Sequence, residues 1–378
     1  MIVMKNLFWL GLIGLVCCQI LSAERLHLYI GNGSSEGISK ALLDTETGVI
    51  SEPRIVSPAV VPNFLVFSQN KQFCYSTNRS KHSDGRSSLG GVSAYLRTAD
   101  GTLVFLQSRL TGGKGACHVS LDRTGTCLFS ANYGNGKVSS YKVKVDGTLS
   151  PAVSVMEHKG KGPHPHRQKG PHAHSAYASV DNKFVYAADL GTDSIEVYSL
   201  DVRSAELKSV ATVACPPGSG PRHMCFSQDG SRLYVLNELK PSITLFECDA
   251  TTGGLTLGKT TPLLEKGVKD IASSEIRMSD DGNFIYAANR DLKNQGRDSI
   301  SVLVVDANGS LKLVQTAPVG VWMPRHFDIT PDGKMLILAG QKSNAVLAFH
   351  RDPVTGILKT SGKRIAVKNP MWIGFVRP

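Results

Sequence analysis

The chain has 378 residues, with 42 Lys and Arg against 31 Asp and Glu, and a formal net charge of +11 at pH 7. Such an excess of positive charge favours anionic ligands or surfaces. The basic residues are scattered, and no basic helix or interleaved aromatic stripe accompanies them, so we do not expect nucleic-acid binding. No change in composition or linker divides the chain into two halves.

The N-terminal residues 1–23 are typical of a secretory signal. Lys5 precedes a short apolar run over residues 7–21, and Ser22 and Ala23 supply small residues at the cleavage point. We expect cleavage after Ala23 and an exported product, periplasmic or secreted. Lipid attachment at Cys18 is the alternative. No later segment has the length of a spanning helix, so no integral membrane span is expected.

Six cysteines follow the predicted signal: Cys74, Cys117, Cys127, Cys215, Cys225 and Cys248. Several lie in apolar strand patterns, where a thiol packs as a small hydrophobic group. Cys117 and Cys127 fall on consecutive predicted strands and are the pair best suited to a disulfide. No Cys-x-x-Cys pair is present, so a structural zinc site is not expected.

A short phrase recurs along the chain: an apolar strand, a polar turn often containing Asp-Gly, and a second strand ending in apolar-Tyr-apolar-apolar-Asn. Its end points lie 48 to 57 residues apart and are Asn78, Asn132, Asp189, Asn237, Asn289 and Gly340. A third strand and a fourth, more polar strand follow most copies. Repeats of this length, built from short strands, are typical of propeller blades.

The two ends of the chain predict how the ring closes. Residues 26–32 match a second strand with no first strand before it, and residues 370–376 match a first strand with no continuation. Pairing them completes one blade and removes free sheet edges. The sequence therefore predicts an all-β, single-domain protein over residues 24–378: a seven-bladed β-propeller of four-stranded antiparallel blades, with one blade closed by both termini.

Polar residues that interrupt the repeat, near the starts of first strands or directly after second strands, are the candidates for a site. Such positions converge at one mouth of a propeller's channel. They hold His172, His174, Arg222, Glu238, Glu275, Arg290, Arg325 and Gln341. An imidazole and a carboxylate can activate water, and arginines can bind an anion or polarise a carbonyl. This combination indicates hydrolysis or addition at an ester-like carbon.

Other polar residues have a structural interpretation. Asp189, Asn237 and Asn289 are ordinary turn formers at strand ends. The segment 158–174 contains two His-x-His pairs, which could bind a metal. No carboxylate cluster of defined spacing accompanies them, and the Gly-Pro punctuation is typical of a shaped loop. We therefore predict no metal and no cofactor, with metal binding by this loop as the alternative.

Several phrases, taken in order, resemble the seven-bladed propeller lactonase family, which includes propeller-type 6-phosphogluconolactonases and the fungal carboxy-cis,cis-muconate lactonizing enzyme. The phrases are GPHAHSAY, GPRHMCFSQDGSRLYVLNEL, SSEIRMSDDGNFIYAANRD and PRHFDITPDGKMLILAG. The resemblance extends from about Leu26 to Val376. It implies that His174, Arg222, Glu238 and Arg290 are catalytic. We expect His172, Glu275, Arg325 and Gln341 to contact the substrate.

The resemblance implies a lactonase that converts 6-phosphogluconolactone to 6-phosphogluconate, the second step of the oxidative pentose phosphate pathway, or that hydrolyses a related lactone outside the cytoplasm. The expected partner is a small anionic lactone or sugar acid, and a monomer is favoured. Glu238 or His174 is the expected base. Two alternatives remain at this stage: a muconate-type cycloisomerase using the same residues, and an exported propeller that only binds a partner.

Overall fold

The computed structural model describes residues 25–34, 36–81 and 88–378, and every helix or strand assigned in them is a β-strand. The predicted signal, residues 1–23, and Cys18 lie outside the described residues. The strands form seven four-stranded sheets. No helix of sufficient length and apolarity to cross a membrane occurs in the described ranges.

The seven sheets are the blades of the ring, and in each one the strands are given from the central axis outward. Blade 1 consists of β28 (Pro370–Val376), β1 (Arg25–Asn32), β2 (Ile38–Asp44) and β3 (Arg54–Ser57). Blade 2 consists of β4 (Leu65–Phe67), β5 (Phe73–Lys81), β6 (Ser88–Arg97) and β7 (Leu103–Lys114). Blade 3 consists of β8 (Ala116–Leu121), β9 (Cys127–Asn132), β10 (Lys137–Lys142) and β11 (Ser154–Glu157).

The remaining four blades follow in chain order. Blade 4 consists of β12 (Ala173–Ala178), β13 (Phe184–Asp189), β14 (Ser194–Asp201) and β15 (Glu206–Ala214). Blade 5 consists of β16 (Pro221–Phe226), β17 (Arg232–Asn237), β18 (Ser242–Cys248) and β19 (Leu255–Pro262). Blade 6 consists of β20 (Ile271–Met278), β21 (Phe284–Asp291), β22 (Ser299–Val305) and β23 (Leu311–Pro318). Blade 7 consists of β24 (Pro324–Ile329), β25 (Met335–Gly340), β26 (Ala345–Arg351) and β27 (Leu358–Ala366).

Blade 1 closes the ring with both ends of the described chain. Strand β28 pairs antiparallel with β1, so that Ile373 lies opposite Ile30. Strand β28 also contacts its neighbours β24 and β4. The predicted seven-bladed, all-β ring and its closure by both termini are therefore confirmed.

The repeated Asn and Asp residues shape the turns that follow them. Asn237 donates from Nδ2 to the hydroxyls of Ser242 and Thr244, each at 2.9 Å. Asp189 accepts the backbone N–H of Gly191 at 2.8 Å. These residues close the connection between the second and third strands, as the turn interpretation predicts.

The repeated tyrosines join adjacent blades. Tyr75 of blade 2 donates its hydroxyl to the carbonyl of Gly147 in blade 3 at 3.1 Å. Tyr234 donates in the same way to Gly309 at 3.0 Å, and Tyr286 to Gly356 at 2.8 Å. Glycine is required at position 147 because its φ is +78° and an added Cβ would lie 2.2 Å from the Phe73 ring. These three copies of the repeat therefore bond their blades to the next blade in the ring.

The apolar core lies between the blades. Six clusters of buried side chains fill the blade interfaces, and the cluster between blades 7 and 1 contains Ile337, Val346, Leu28 and Ile373. Each sheet buries both faces, because it packs against a neighbour on either side. This packing makes the ring a rigid frame for residues at the axis.

All six cysteines of the described chain are free thiols, and this includes Cys117 and Cys127, the pair that the sequence offered as best suited to a disulfide. The two residues lie at opposite ends of the β8–β9 pair, since Ala116 faces Asn132 while Leu121 faces Leu128. The Sγ of Cys117 lies 3.5 Å from the carbonyl oxygen of His174, and that of Cys127 lies 3.4 Å from the carbonyl oxygen of Val202. Adjacent strands do not bring cysteines together when their positions along the strands differ.

We predict that Ile373→Ala lowers the free energy of unfolding by about 2–5 kcal/mol, because it opens a cavity in the core at the closing strand. Ile373 is fully buried, whereas Val354, in a turn of blade 7, is 84% exposed. Val354→Ala is the matched control, with an expected change within about 0.5 kcal/mol. Denaturant titration measures both. Equal effects of the two substitutions would contradict a structural role for the closing strand.

Candidate active site

A one-residue irregularity recurs at the same place in six innermost strands. In each, one extra residue stands against the second strand, next to the end of that strand. Bulges of this kind turn a side chain away from the regular sheet pattern and are common beside active sites. The residues at the irregularities are Met371, Cys117, His174, Arg222 with His223, Ser274 with Glu275, and Arg325.

Four of these residues, Met371, Cys117, His174 and Arg325, line a cavity of about 610 Å³ at one mouth of the channel. Its charged and titratable lining consists of Arg79, Lys114, Cys117, Tyr133, Arg167, His174, Glu238, Arg290 and Arg325. Asn63, Leu292, Met323, Met371 and the backbone at Gly115 and Gly134 complete the wall. Five cations and one carboxylate line this space, so it is suited to an anionic ligand.

Glu238 is the centre of the polar network. Its Oε2 accepts from Arg222 Nε at 2.9 Å and lies 3.2 Å from Arg290 Nη2. Its Oε1 accepts from Arg167 Nη2 at 2.7 Å. His174 Nε2 lies 3.8 Å from the same Oε2. Glu238 follows β17 directly, and its backbone N–H donates to Gly220 O at 2.7 Å, which fixes the side chain at the cavity wall.

The charges around Glu238 determine its protonation. Burial by itself would raise the pKa of this carboxyl, but Arg290, Arg222 and Arg167 hold the pKa well below its ordinary value of 4.5. Burial, and next the charge of Arg222, hold the pKa of His174 well below 6.5. At neutral pH the site therefore contains a carboxylate anion beside a neutral imidazole.

Arg325 is half-buried and differs from the buried arginines of the site. In the described residues it lies within salt-bridge distance of no carboxylate, although it lines the cavity. Burial, reinforced by the charges of Arg222 and Arg290, lowers its pKa, yet a guanidinium remains protonated in proteins. An anion or a developing negative charge in the cavity would compensate it.

The structure brings together four of the predicted residues at the cavity: His174, Glu238, Arg290 and Arg325. Arg222 lies one layer deeper. Only 2% of it is exposed, and its guanidinium contacts Glu238 and His223. Arg222 therefore supports the carboxylate from behind, and the cavity wall does not include it.

Glu275, predicted to contact the substrate, lies deeper in the channel. It is fully buried and is held by His223 Nδ1 at 3.0 Å, His326 Nε2 at 3.3 Å and Arg277 Nη1 at 2.5 Å. At the irregularity in β20, Ser274 and Glu275 together stand opposite the single residue Ala288. The cavity wall does not include Glu275.

The last two predicted residues lie behind or outside the cavity wall. The His172 ring stacks on Tyr133 with centroids 4.5 Å apart, and its Nδ1 donates to the Tyr133 carbonyl at 2.7 Å. Gln341 donates its backbone N–H to Met323 O at 2.9 Å. His172 and Gln341 therefore contact residues that line the cavity, and neither lines it itself.

Sequence reasoning missed Arg167 and Tyr133. Arg167 lies in the histidine-rich loop, residues 158–172, and donates to both Glu238 Oε1 and the Tyr133 hydroxyl, the latter at 3.0 Å. Within this loop, which sequence offered as an alternative metal site, His164 Nδ1 accepts two backbone N–H groups at 3.2–3.3 Å. Across the described ranges, no group of three or more His, Cys, Asp or Glu is placed to hold a metal ion. The only sequence signal for Arg167 was a basic residue among glycines and prolines.

We predict that Glu238→Gln lowers the free energy of unfolding by about 3–5 kcal/mol near pH 7, because it leaves buried arginines without their anion. The pKa of Glu238 is lowered in the folded protein, so its stabilisation is complete above the ordinary value of 4.5 and is lost as pH falls through the lower folded value. The difference between wild type and variant should therefore shrink below about pH 4.

Denaturant titrations at several pH values measure this difference. Glu247→Gln is the matched control, since Glu247 lies on β18 with 52% of its side chain exposed. We expect the control to change stability by less than about 0.5 kcal/mol at every pH. A Glu238→Gln difference that stayed constant as pH fell would argue against a charge-based role.

This chain is similar in sequence to proteins of one known family. The family described as "Lactonase, 7-bladed beta-propeller" matches residues 27–375. A 6-phosphogluconolactonase of Bacillus subtilis is 33% identical over 355 residues, covering 92% of this chain and 97% of the relative. A 6-phosphogluconolactonase of Formosa agariphila is 28% identical and covers 88% and 93%.

A solved structure leads to the same family. The periplasmic gluconolactonase of Pseudomonas aeruginosa has a TM-score of 0.86 against this fold and is 30% identical in sequence. The match covers 94% of this chain and 100% of that structure. The family match, the similar relatives and the seven four-stranded blades together show that this chain belongs to the lactonase family of seven-bladed β-propellers.

Proposed function

We propose that this protein hydrolyses the lactone of an anionic sugar acid in the cavity at the channel mouth, with 6-phosphogluconolactone as the preferred substrate. One observation carries the proposal: the His174–Glu238 pair shares a single cavity with the guanidinium groups of Arg290 and Arg325. This arrangement supplies a proton acceptor and a means of stabilising negative charge at a carbonyl oxygen.

His174 is the proton acceptor in this proposal. Three arginines form ion pairs with the two carboxylate oxygens of Glu238, so the carboxylate serves as their counter-ion. The neutral imidazole is free to accept a proton at Nε2. Because Nε2 and Glu238 Oε2 are 3.8 Å apart, one water molecule can bond to both, and the carboxylate then stabilises the imidazolium that forms.

The proposed reaction has two steps, attack of water on the lactone carbonyl and opening of the ring. The water oxygen forms a bond to the lactone carbonyl carbon while its proton moves to His174, and the carbonyl oxygen becomes an oxyanion. Arg325, which lacks a carboxylate partner among the described residues, stabilises that charge. The bond from carbon to the ring oxygen then breaks, and the leaving alkoxide takes the proton from His174. The product is the open hydroxy acid.

The relatives support this choice of reaction. Two are named 6-phosphogluconolactonase and one is named a periplasmic gluconolactonase. All three names describe opening of a sugar-acid lactone. The cationic lining, five Lys and Arg against one carboxylate, favours the substrate that carries an additional anionic group.

We predict that the purified protein accelerates proton release from 6-phosphogluconolactone and that His174→Gln lowers kcat by about 10²–10⁴-fold. The matched control is His350→Gln, since His350 is an exposed residue on β26 far from the cavity lining. A pH-stat assay, corrected for spontaneous hydrolysis, measures both. If His174→Gln retains wild-type kcat, the assignment of the base is wrong.

Arg325→Ala should lower kcat by about 10²–10³-fold, as expected for loss of an oxyanion donor. The same assay, run with muconate-type diacids in place of lactones, separates hydrolysis from cycloisomerisation. Turnover of the diacids without turnover of any lactone would overturn the proposed function.

We further infer that residues 1–23 direct export, so that the physiological lactone lies outside the cytoplasm. The basic residue, apolar run and small residues at 22 and 23 support this inference. We predict that expression of the full chain in a bacterial host yields a mature protein beginning at Glu24, detected by intact mass and cell fractionation. A cytoplasmic product that retains Met1 would contradict it, and a lipid-modified Cys18 would identify an anchored form.

A further inference from the structure

The charged residues of this protein are sorted between the two faces of the disc. Antiparallel pairing places the connections between second and third strands, and those between blades, on the face that carries the cavity, which we call the cavity face. The turns between first and second strands, and between third and fourth strands, lie on the opposite face.

The two faces have opposite net charge. In the described ranges, the connections of the cavity face contain 11 Lys and Arg against 6 Asp and Glu. The turns of the opposite face contain 13 Asp and Glu against 6 Lys and Arg. The chain's total charge therefore understates the positive potential around the cavity, because much of the negative charge lies on the far side of the disc.

Turn geometry explains the acidic face. Its hairpin turns use an Asp side chain to accept backbone N–H groups, as Asp229, Asp249 and Asp306 do at 2.8–3.1 Å. Such turns recur in every blade, so the repeat itself places carboxylates on that side. On the cavity face the connections leave Lys161 and Lys169 exposed to solvent.

The positive potential of the cavity face extends into the cavity, because cations line it. Lys114 and Arg325 line it, and within the described residues neither forms a salt bridge with a carboxylate. Exposed lysines surround the mouth on several blades, including Lys169 before blade 4, Lys293 in blade 6 and Lys342 in blade 7. None of these three lines the cavity, so each can act on a ligand only through its long-range field.

We propose that the cavity face steers an anionic lactone electrostatically toward the cavity. Exposed lysines that do not contact the bound substrate produce the steering field. The substrate's identity rests on the proposed function above. Charged clefts raise association rates by about 10–10³-fold, and the effect falls steeply as salt increases. The Debye length shrinks from about 30 Å at 0.01 M salt to about 3 Å at 1 M.

A pair of variants with equal total charge tests this proposal. The first carries Lys161→Glu, Lys169→Glu, Lys293→Glu and Lys342→Glu on the cavity face. The second carries Lys71→Glu, Lys144→Glu, Lys183→Glu and Lys334→Glu in the turns of the opposite face. All eight lysines are exposed, and none lines the catalytic cavity. The assay measures kcat/KM for 6-phosphogluconolactone and for uncharged gluconolactone over a salt series.

We expect the cavity-face variant to lose about tenfold or more in kcat/KM for the phosphorylated lactone at low salt, with the loss disappearing at high salt. The opposite-face variant should remain near wild type, and the uncharged lactone should be insensitive to both sets of substitutions. Equal losses in the two variants, or a loss independent of salt, would overturn the steering proposal while leaving the lactonase activity standing. Absence of hydrolysis of either lactone by wild type would instead overturn the proposed function.

Discussion

Closure of the ring by β28 and β1 is the constraint on which the rest of the structure depends. Each blade buries both of its faces only because it has a neighbour on each side, and the terminal pairing supplies the last neighbour. Closure also brings the extra residues of the innermost strands together at one mouth. Cys117 and Arg325 are 208 positions apart in the sequence and line the same cavity.

Within that frame, one carboxylate organises the site. Glu238 is paired with Arg222, Arg290 and Arg167, which come from different parts of the chain. A buried carboxylate is stable only when it is paired, and three cations more than compensate it. The two residues therefore have different roles. Glu238 stays ionised and binds the arginines, while the neighbouring neutral His174 is able to accept a proton.

The same repeat that builds the blades also separates charge. Asp residues are used in the hairpin turns, where the carboxylate satisfies backbone N–H groups, and those turns all point away from the cavity. Connections on the other side are free of this requirement and carry more exposed lysines than those turns do. Because the hairpin turns require Asp on one face, the other face, which carries the cationic cavity, has a net positive charge.

The sequence by itself determined the seven blades and the pairing of the termini. It also predicted eight polar residues near one mouth, of which His174, Glu238, Arg290 and Arg325 line the cavity. Those conclusions follow from periodicity, because equivalent positions in a closed ring must be neighbours. Only the tertiary structure decided the depth of each side chain. One extra residue per innermost strand turns Arg222 and Glu275 below the cavity wall, and alternation along a strand does not reveal that shift. Arg167 enters the site from an irregular loop whose path depends on contacts with Glu238 and Tyr133, which are distant in sequence.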